Sequence, residues 1–509
     1  EQKSTDGSTI ESAEPHLTTN GAKHQHSRSE QTAEQPPAVH GQFRLQDIPV
    51  GKLRQQLADL SPEARARALR KLSDPRIPRE DFNSLRVVSD GALFYACDIP
   101  HSHAGTQHPN VSTAAAVPSS NTTNTKEISA AASATPPIRH SRPGSSKVIY
   151  LDFDGATISG TVWNTNYNGG AAFTTLPYSA DGDYSSFSDA EQAVIIRTWE
   201  RVAEDYRPFD VDVTTEAPAS MGANVVHVVI TRSTRSDGAT NPEAADAGGV
   251  AFLDNFGSAY DAAYAPTFVY HNHTLEENGM AVAISHEAGH YIGDLHHDGI
   301  HSTEYYSGHG SGDTSWGPIM GGPYGKNVTQ WSKGDYYGAT NTSEDDLALL
   351  AAKLGYIADD HGDTNGTAGT LSINGNQLSA SGVIGTTNDA DRFSFTVNGG
   401  DLTINASTFR SATAPNGGNL DILIQLLDSS GNVIASADPS TETGAGIVAS
   451  VTAGTYYVRI SPVGLLNPNG NPPSGYTSYG SLGAYNISGT FSGIIPPSLP
   501  TITSHPADQ

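Results

Sequence analysis

The stretch HEAGHYIGDLHHDG, residues 286–299, places four histidines and three acids within fourteen positions. A globular core rarely contains so many imidazoles side by side, so this stretch constrains the fold more than any other. His286 and His290 lie four residues apart in a predicted helix, 275–293, and their rings therefore leave the same face one turn apart. Two imidazoles in this arrangement predict a shared zinc ion.

The residues around this pair complete a catalytic pattern. Glu287 adjoins the first ligand and is placed to take a proton from a metal-bound water. Gly293 lets the chain leave the helix in a backbone conformation that other residues resist. The turn can then bring back His296 as a third ligand, although the adjacent His297 is a rival. Three neutral imidazoles leave a fourth position open on zinc, as in catalytic sites.

HEAGHYIGDLH matches HExxHxxGxxH, and in this the chain resembles the metzincin zinc endopeptidases. The resemblance implies a catalytic domain over 146–357, with a twisted mixed sheet and an active-site helix. It also implies a methionine turn beneath the zinc site, for which Met320 in GPIMGGPY is the candidate. Some relatives carry a tyrosine that binds zinc or the oxyanion, and Tyr324 is the candidate for that role. The substrate of such enzymes lies along an edge strand, which here would be GGVAFLD or its neighbour.

The chain has 509 residues, more than one core needs. Its patterns predict an α+β protein with several regions, which are a disordered segment (1–41), a partly helical pro-region (42–98), a cleavable linker (99–145), the catalytic domain (146–357), a β-sandwich (368–494) and a tail (495–509). Three helices carry predicted caps, at Ser61, at Ser188 with Glu191, and at Ser343.

The C-terminal block alternates apolar and polar residues between Gly, Asn and Ser turns, which predicts an antiparallel sandwich. DADRFSF, NLDILIQLLDSSGNVIASAD and AGTYYVRIS resemble the pre-peptidase C-terminal domain of secreted bacterial proteases. That resemblance implies a role in secretion or substrate binding and allows for removal on maturation. A stabilising sandwich with no activity of its own is the alternative.

Charge and composition narrow the class of protein. The 54 acids and 28 bases give a net charge of −26, which argues against nucleic acid as a partner. No apolar run approaches the ~18 residues of a membrane span. These features, with 52 Gly and 30 Pro, predict a secreted protein rich in strands and loops. The resemblance to the metzincins implies protein or peptide substrates, and we expect a monomer.

Cys97 is the only cysteine, so no disulfide can form within the chain. A thiolate is a good zinc ligand and could take the fourth position in place of water, which would also shield it from oxidation. Matrix metallopeptidases of the same superfamily use a pro-segment cysteine in this way, although their surrounding motif is not matched here. Asp98 could do the same with an oxygen ligand, and a cysteine that only packs a small strand is the third possibility.

The favoured function is therefore a secreted zinc endopeptidase, made as a latent precursor, with Glu287 as general base. An adhesin or carbohydrate-binding protein with a structural metal site is the alternative, and a metal-dependent hydrolase of other substrates is a third. Calcium is a candidate second cofactor, because LDFDG (151–155) and DADRF (389–393) offer carboxylates.

Overall fold

The computed structural model describes residues 43–98, 132–274, 276–413 and 416–492. The predictions for the N-terminal segment 1–41 and the tail 495–509 lie outside these residues. Among the described residues, no helix is both long and apolar enough to cross a bilayer.

The N-terminal block consists of two helices and a hairpin, which are α1 (Lys52–Asp59), α2 (Pro62–Leu72), β1 (Leu85–Val87) and β2 (Leu93–Cys97). Ser61 caps α2 as predicted, since its hydroxyl accepts from the Ala64 amide at 3.2 Å. The apolar side chains of this block form a hydrophobic cluster of their own. Only a few residues of the predicted catalytic domain (146–357, hereafter the catalytic domain) contribute to it.

The central sheet has seven strands in the order β1-β2-β8-β9-β7-β3-β6. The first two strands in this order, β1 and β2, lie at one end of the sheet and come from the N-terminal block. The remaining five are β3 (Val148–Asp152), β6 (Asp212–Thr214), β7 (Val225–Thr231), β8 (Gly249–Phe252) and β9 (Thr267–Tyr270). The pairs β3–β6, β3–β7 and β7–β9 are parallel, whereas β8 is antiparallel to β9 and β2 is antiparallel to β8. The sheet is therefore mixed, as the sequence predicts.

The catalytic region adds four helices, α3 (Val162–Tyr167), α4 (Asp189–Asp205), α5 (Glu276–Gly293) and α6 (Asp346–Leu354), and two small strand pairs, β4 (Thr157–Ile158) with β5 (Phe173–Thr174) and β10 (Trp316–Pro318) with β11 (Val328–Gln330). Ser188 and Glu191 form the predicted capping box of α4. The predicted cap of α6 is wrong, because the carboxylate of Asp345, not the hydroxyl of Ser343, accepts from the Ala348 amide. Gly355 ends that helix with φ +72°.

The C-terminal region is a sandwich-like sheet of eight strands, β12 (Gly369–Thr370), β13 (Ser372–Asn374), β14 (Gln377–Ile384), β15 (Asp391–Thr408), β16 (Ile422–Leu427), β17 (Val433–Ala437), β18 (Ala445–Pro462) and β19 (Gly483–Phe491). All its pairings are antiparallel except β12 with β15. Alternate side chains of β15 are buried, which is the pattern that the sequence predicts.

The linker prediction needs a correction at its C-terminal end. Ser133 exchanges two backbone hydrogen bonds with Phe187, and the His140 ring contacts Asp212 at 2.7 Å. Residues 132–145 therefore pack on the region 146–357. The backbone of Phe187 and the carboxylate of Asp212 in that region form these contacts with them. The part of the predicted linker that could be cut without breaking these contacts is 99–131.

Candidate metal centre

Helix α5 presents His286 and His290 on its buried face, as their spacing predicts. The Nδ1 atom of His286 lies 2.9 Å from the Ile319 carbonyl, and that of His290 lies 2.6 Å from the Leu295 carbonyl. A carbonyl can only accept, so each ring carries its proton on Nδ1. The lone pair of each Nε2 is then free for a metal, which is the usual arrangement around metal-binding histidines.

The third imidazole at this point belongs to His297. Its Nε2 gathers with those of His286 and His290, and its Nδ1 lies 3.1 Å from a carboxylate oxygen of Glu304. The ring of His296 points away, with Nδ1 2.7 Å from a carboxylate oxygen of Glu344. The prediction that His296 is the third member of the cluster is therefore wrong.

One extra residue in the turn after the helix explains this difference. Gly293 does not adopt the left-handed conformation expected of it, and Asp294 does so instead, with φ +56°. Leu295 is then fully buried, and the chain reaches the metal centre one residue later than the standard spacing allows. The sequence carried a signal for this, since His297 and Asp298 form the His-Asp pair that often follows in metzincins.

Cys97, at the end of β2, completes the cluster. Its Sγ atom lies 3.5, 3.4 and 3.5 Å from the Nε2 atoms of His286, His290 and His297. Ligands at zinc's usual N and S bond lengths, at the corners of a tetrahedron, would be separated by roughly 3.5 Å. The three sulfur–nitrogen distances are close to this value, and all four donor atoms lie within 4.8 Å of one another.

Burial favours the neutral forms of these four donors. It lowers the pKa of His286 to about 3 and places the pKa values of His290 and His297 well below the ordinary value. Burial, and secondarily Glu287, raises the pKa of the Cys97 thiol. Neutral imidazoles suit a cation, which would in turn favour the thiolate.

Glu287 lies beside this cluster rather than in it. Burial raises the pKa of its carboxyl well above the ordinary value, while a hydrogen bond with Cys97 acts in the opposite direction. Its Oε2 has no hydrogen-bond partner among the described residues. Any side chain at Gly249, on the neighbouring strand β8, would collide with this carboxylate. The bare backbone at that position thus leaves room for the acid next to the thiol.

Met320 packs against helix α5 at Gly289. It is fully buried, and its Sδ lies 3.0 Å from where a Cβ on Gly289 would be. Its carbonyl accepts from the Asp298 amide at 2.9 Å, which ties the methionine turn to the chain just after His297.

Two tyrosines flank the thiol. Burial raises the pKa of Tyr324, and smaller contributions come from the charges of Cys97 and Glu287. Tyr305, which the sequence analysis missed, contacts the ring of His297 with centroids 4.4 Å apart. No motif marks it, and only the fold brings it there.

The N-terminal block closes the site. The ring of Tyr95 stacks on His290 at 4.1 Å, and its hydroxyl donates to Asp81. The carboxylate of Asp81 also accepts from the His297 amide at 3.1 Å. Tyr95 and Asp81 both belong to the N-terminal block. The block therefore contacts the metal centre through these two side chains as well as through Cys97.

The two predicted calcium sequences behave differently. Asp152 of LDFDG contacts His227 at 2.7 Å and joins no group of candidate metal donors among the described residues. Asp391 of DADRF gathers with Asp359 and Asp360, where the chain enters the sandwich. Asp391 is fully buried and its Oδ1 has no hydrogen-bond partner, so this group fits a cation better than the first.

Comparison with known proteins identifies one part of the chain. Residues 389–462 match the model of the bacterial pre-peptidase C-terminal domain. The same domain from the collagenase of Bacillus anthracis aligns at 12% identity, covering 26% of this chain and 98% of its own, with a TM-score of 0.17. PliG, a periplasmic lysozyme inhibitor of Aeromonas hydrophila, aligns at 8% identity over 25% of this chain and 96% of its own, also at 0.17. No curated protein sequence matches this chain. The sandwich thus contains a pre-peptidase C-terminal domain, as its sequence pattern predicts.

Proposed function

We propose that this chain is the latent precursor of a secreted zinc endopeptidase. The observation that carries the proposal is the convergence of three imidazole Nε2 atoms and one thiol, with sulfur–nitrogen distances of 3.4–3.5 Å, beside a buried carboxylate whose Oε2 has no partner among the described residues. His286, His290 and His297 would hold the zinc ion. When bound, zinc lowers the pKa of a water molecule and polarises a substrate carbonyl.

Glu287 supplies the proton transfer. After the N-terminal block has been removed together with Cys97, the Oε2 atom of Glu287 accepts a proton from the attacking water. Glu287 then delivers this proton to the amine of the leaving peptide. Its position beside the ligand cluster lets the same carboxyl group accept the proton in the first step and release it in the second. Tyr324 is the candidate donor to the developing oxyanion, because it is close enough to Cys97 and Glu287 for their charges to act on its pKa.

Cys97 makes the precursor latent by filling the position that water needs. Asp98 is the less favoured candidate because Cys97, not its neighbour, belongs to the group of candidate donors. A cysteine that only packs a strand would not need three imidazoles around its sulfur.

The pre-peptidase domain supports both secretion and peptidase activity, because such domains occur in secreted bacterial peptidases. The alternative is an adhesin or carbohydrate-binding protein with a structural metal site. Glu287 opposes it, since a structural site does not need a general base beside its ligands. A calcium ion at Asp359, Asp360 and Asp391 would be a second, structural cofactor.

The decisive experiment compares zinc content and casein hydrolysis. The full-length chain is folded with zinc, cut within 99–131, and assayed with and without a chelator. Glu287→Gln should retain one zinc per chain and lose turnover by about 10²-fold or more, because an amide cannot accept the proton. Zinc binding with no hydrolysis by the unmutated chain would favour the structural alternative.

The third ligand has its own test. His297→Ala should lose most of the zinc and the activity, while the matched variant His296→Ala should retain the metal. Glu344 would lose its imidazole partner in that control, so its stability is measured alongside. The reverse outcome would return the role to His296.

A further inference from the structure

Strand β2 lies where an extended peptide would bind. The N-terminal block supplies β2, so the catalytic domain on its own would end its sheet at β8. The two strands are antiparallel, with Cys97 opposite Gly249 and Phe94 opposite Phe252. The Gly248 amide also donates to the Cys97 carbonyl at 2.9 Å. A peptide bound to the same edge would reach the metal centre at the position of Cys97.

The side chains of β2 point alternately to two different environments. Tyr95 and Cys97 face the metal centre and the cluster of the N-terminal block. Phe94 and Ala96 instead enter a second cluster, formed mostly by the catalytic domain. One face of the strand therefore contacts surface that remains after the N-terminal block departs.

Phe94 fills a pocket with aromatic walls. Its ring lies 5.2 Å from Trp163, edge to face, and 5.2 Å from Phe252 between centroids. Trp163 is fixed by a hydrogen bond from its Nε1 to the Pro266 carbonyl at 2.9 Å. Because helix α3 and strand β8 hold these walls, we call the space between Trp163 and Phe252 the aromatic pocket. Phe268 and Val250 belong to the same hydrophobic cluster as these two walls.

We infer that β2 occupies the substrate groove in the direction of a substrate, and that the aromatic pocket is a specificity subsite for an aromatic side chain. This inference rests on the proposed endopeptidase function. Main-chain hydrogen bonds to an edge strand provide affinity without sequence preference, and pockets for alternate side chains provide specificity. The pocket takes the side chain three residues before the one that adjoins the metal, as Phe94 precedes Cys97.

The pocket's chemistry determines what it accepts. A phenyl ring fills it and makes edge-to-face contacts, whereas an alanine would leave it partly empty. A glutamate would place a charge among apolar walls with no partner. Substrates with Phe, Tyr or Trp at this position should thus be preferred over those with Ala or Glu.

The first test measures cleavage. The full-length chain is folded with zinc, cut within 99–131 and freed of its N-terminal block. A peptide series Leu-X-Tyr-Ala-Ser with a common C-terminal extension is then assayed, with X as Phe, Leu, Ala or Glu. We expect kcat/KM for Phe to exceed that for Ala by about 10–100-fold, the discrimination that an apolar pocket can provide. In a digest of a denatured protein, aromatic residues should be enriched at the third or fourth position before the cut bond.

The second test does not depend on catalysis. Binding of the Phe and Ala peptides to the metal-free enzyme is followed by tryptophan fluorescence, since Trp163 lines the pocket. The Phe peptide should bind more tightly and change the emission. Phe252→Leu should reduce the Phe-to-Ala ratio severalfold in both tests.

A third measurement uses the precursor. Phe94→Ala should let a thiol reagent label Cys97 at least severalfold faster, because the strand is held less firmly. The enzyme cut from this precursor has the same sequence as the unmutated one, so its normal activity would verify correct folding.

The outcomes separate this inference from the proposed function. Casein hydrolysis with equal kcat/KM and equal binding for the Phe and Ala peptides would overturn the aromatic subsite and leave the endopeptidase intact. No hydrolysis of casein or of any peptide would overturn the proposed function itself. Enrichment of aromatic residues only after the cut bond would overturn the direction assigned to the substrate.

Discussion

The N-terminal block and the C-terminal sandwich both pack on the catalytic domain, but they do so by different physical means. The sandwich shares one continuous hydrophobic cluster with the catalytic domain. The N-terminal block has a core largely of its own and is joined by strand pairing, by Phe94 and Ala96, and by ion pairs. A region with its own core can leave without exposing the core of its partner, whereas a region that shares a core cannot.

Polar contacts follow the same division. Lys71 and Arg76 of the N-terminal block both bind the carboxylate of Asp294, at 2.5 and 2.6 Å, with partly exposed side chains. At the sandwich, the buried Asn419 amide donates to Asp205 at 2.8 Å and its carbonyl oxygen accepts from the Thr329 amide at 3.1 Å. Water can replace the partly exposed ion pairs of Asp294 with little loss of free energy. The buried hydrogen bonds of Asn419 cannot be replaced without a larger loss. Under the proposed function, we therefore expect the N-terminal block to be the part removed on activation and the sandwich to be the part retained.

The largest expected effect concerns Cys97. Cys97→Ser removes the strong sulfur ligand, so the uncut chain should hydrolyse casein, or cut itself, on the order of 10²-fold faster than the parent. Activity of the uncut chain and the appearance of cut fragments are measured together. Asp98→Asn is the matched control and should stay latent. A Cys97→Ser chain as inactive as its parent would mean that β2, not the thiol, causes latency.

The next effect concerns the sandwich. Asn419→Ala leaves the Asp205 carboxylate and the Thr329 amide without their buried partner, which should lower the free energy of unfolding by about 2–3 kcal/mol. Urea unfolding of the cut enzyme measures this, and Asn432→Ala, in an exposed turn, should change stability by about 0.5 kcal/mol or less. If Asn419→Ala were as mild as its control, the interface would not be integral.

The sequence predicted the parts of this arrangement that depend on local spacing. The His286–His290 pair, the capping box at Ser188 and the alternation of β15 all follow from the helical or extended repeat. The choice of His296 failed because a single inserted residue is absorbed by the left-handed conformation of Asp294, which no periodicity predicts.

Contacts between distant residues were harder to predict. The candidacy of Cys97 came from the chemistry of a lone thiol, whereas its pairing with Gly249 joins positions far apart in the chain. Tyr305 had no motif, and the contacts of residues 132–145 contradicted their linker-like composition. Such features depend on which strands pair, and composition does not determine that.

Asp294→Asn should loosen the N-terminal block without weakening the rest. The neutral amide loses both ion pairs with Lys71 and Arg76, at about 1–2 kcal/mol, while asparagine tolerates the φ of +56° at this position. Thiol labelling of Cys97 in the uncut chain should become about tenfold faster. Stability of the cut enzyme should stay within about 0.5 kcal/mol of its parent. Equal labelling rates would show that strand pairing alone holds the block.

The smallest expected effect is a pH dependence at the sandwich interface. The buried carboxylate of Glu204 accepts from the Ala484 amide at 3.0 Å, and burial raises its pKa to about 7, opposed by Arg207. The folded state therefore binds this proton more tightly than the unfolded state does. The favourable contribution of this proton is complete below the unfolded pKa near 4.5 and is lost as the pH rises through 7.

Glu204→Gln removes the buried charge but also its attraction to Arg207. We therefore expect the free energy of unfolding to rise by about 1 kcal/mol at pH 8 and to change very little at pH 5. Thermal or urea unfolding in the inactive Glu287→Gln background measures this without self-digestion. A destabilised Glu204→Gln variant at pH 8 would mean that the pair with Arg207 outweighs burial, and that the interface is held by charge after all.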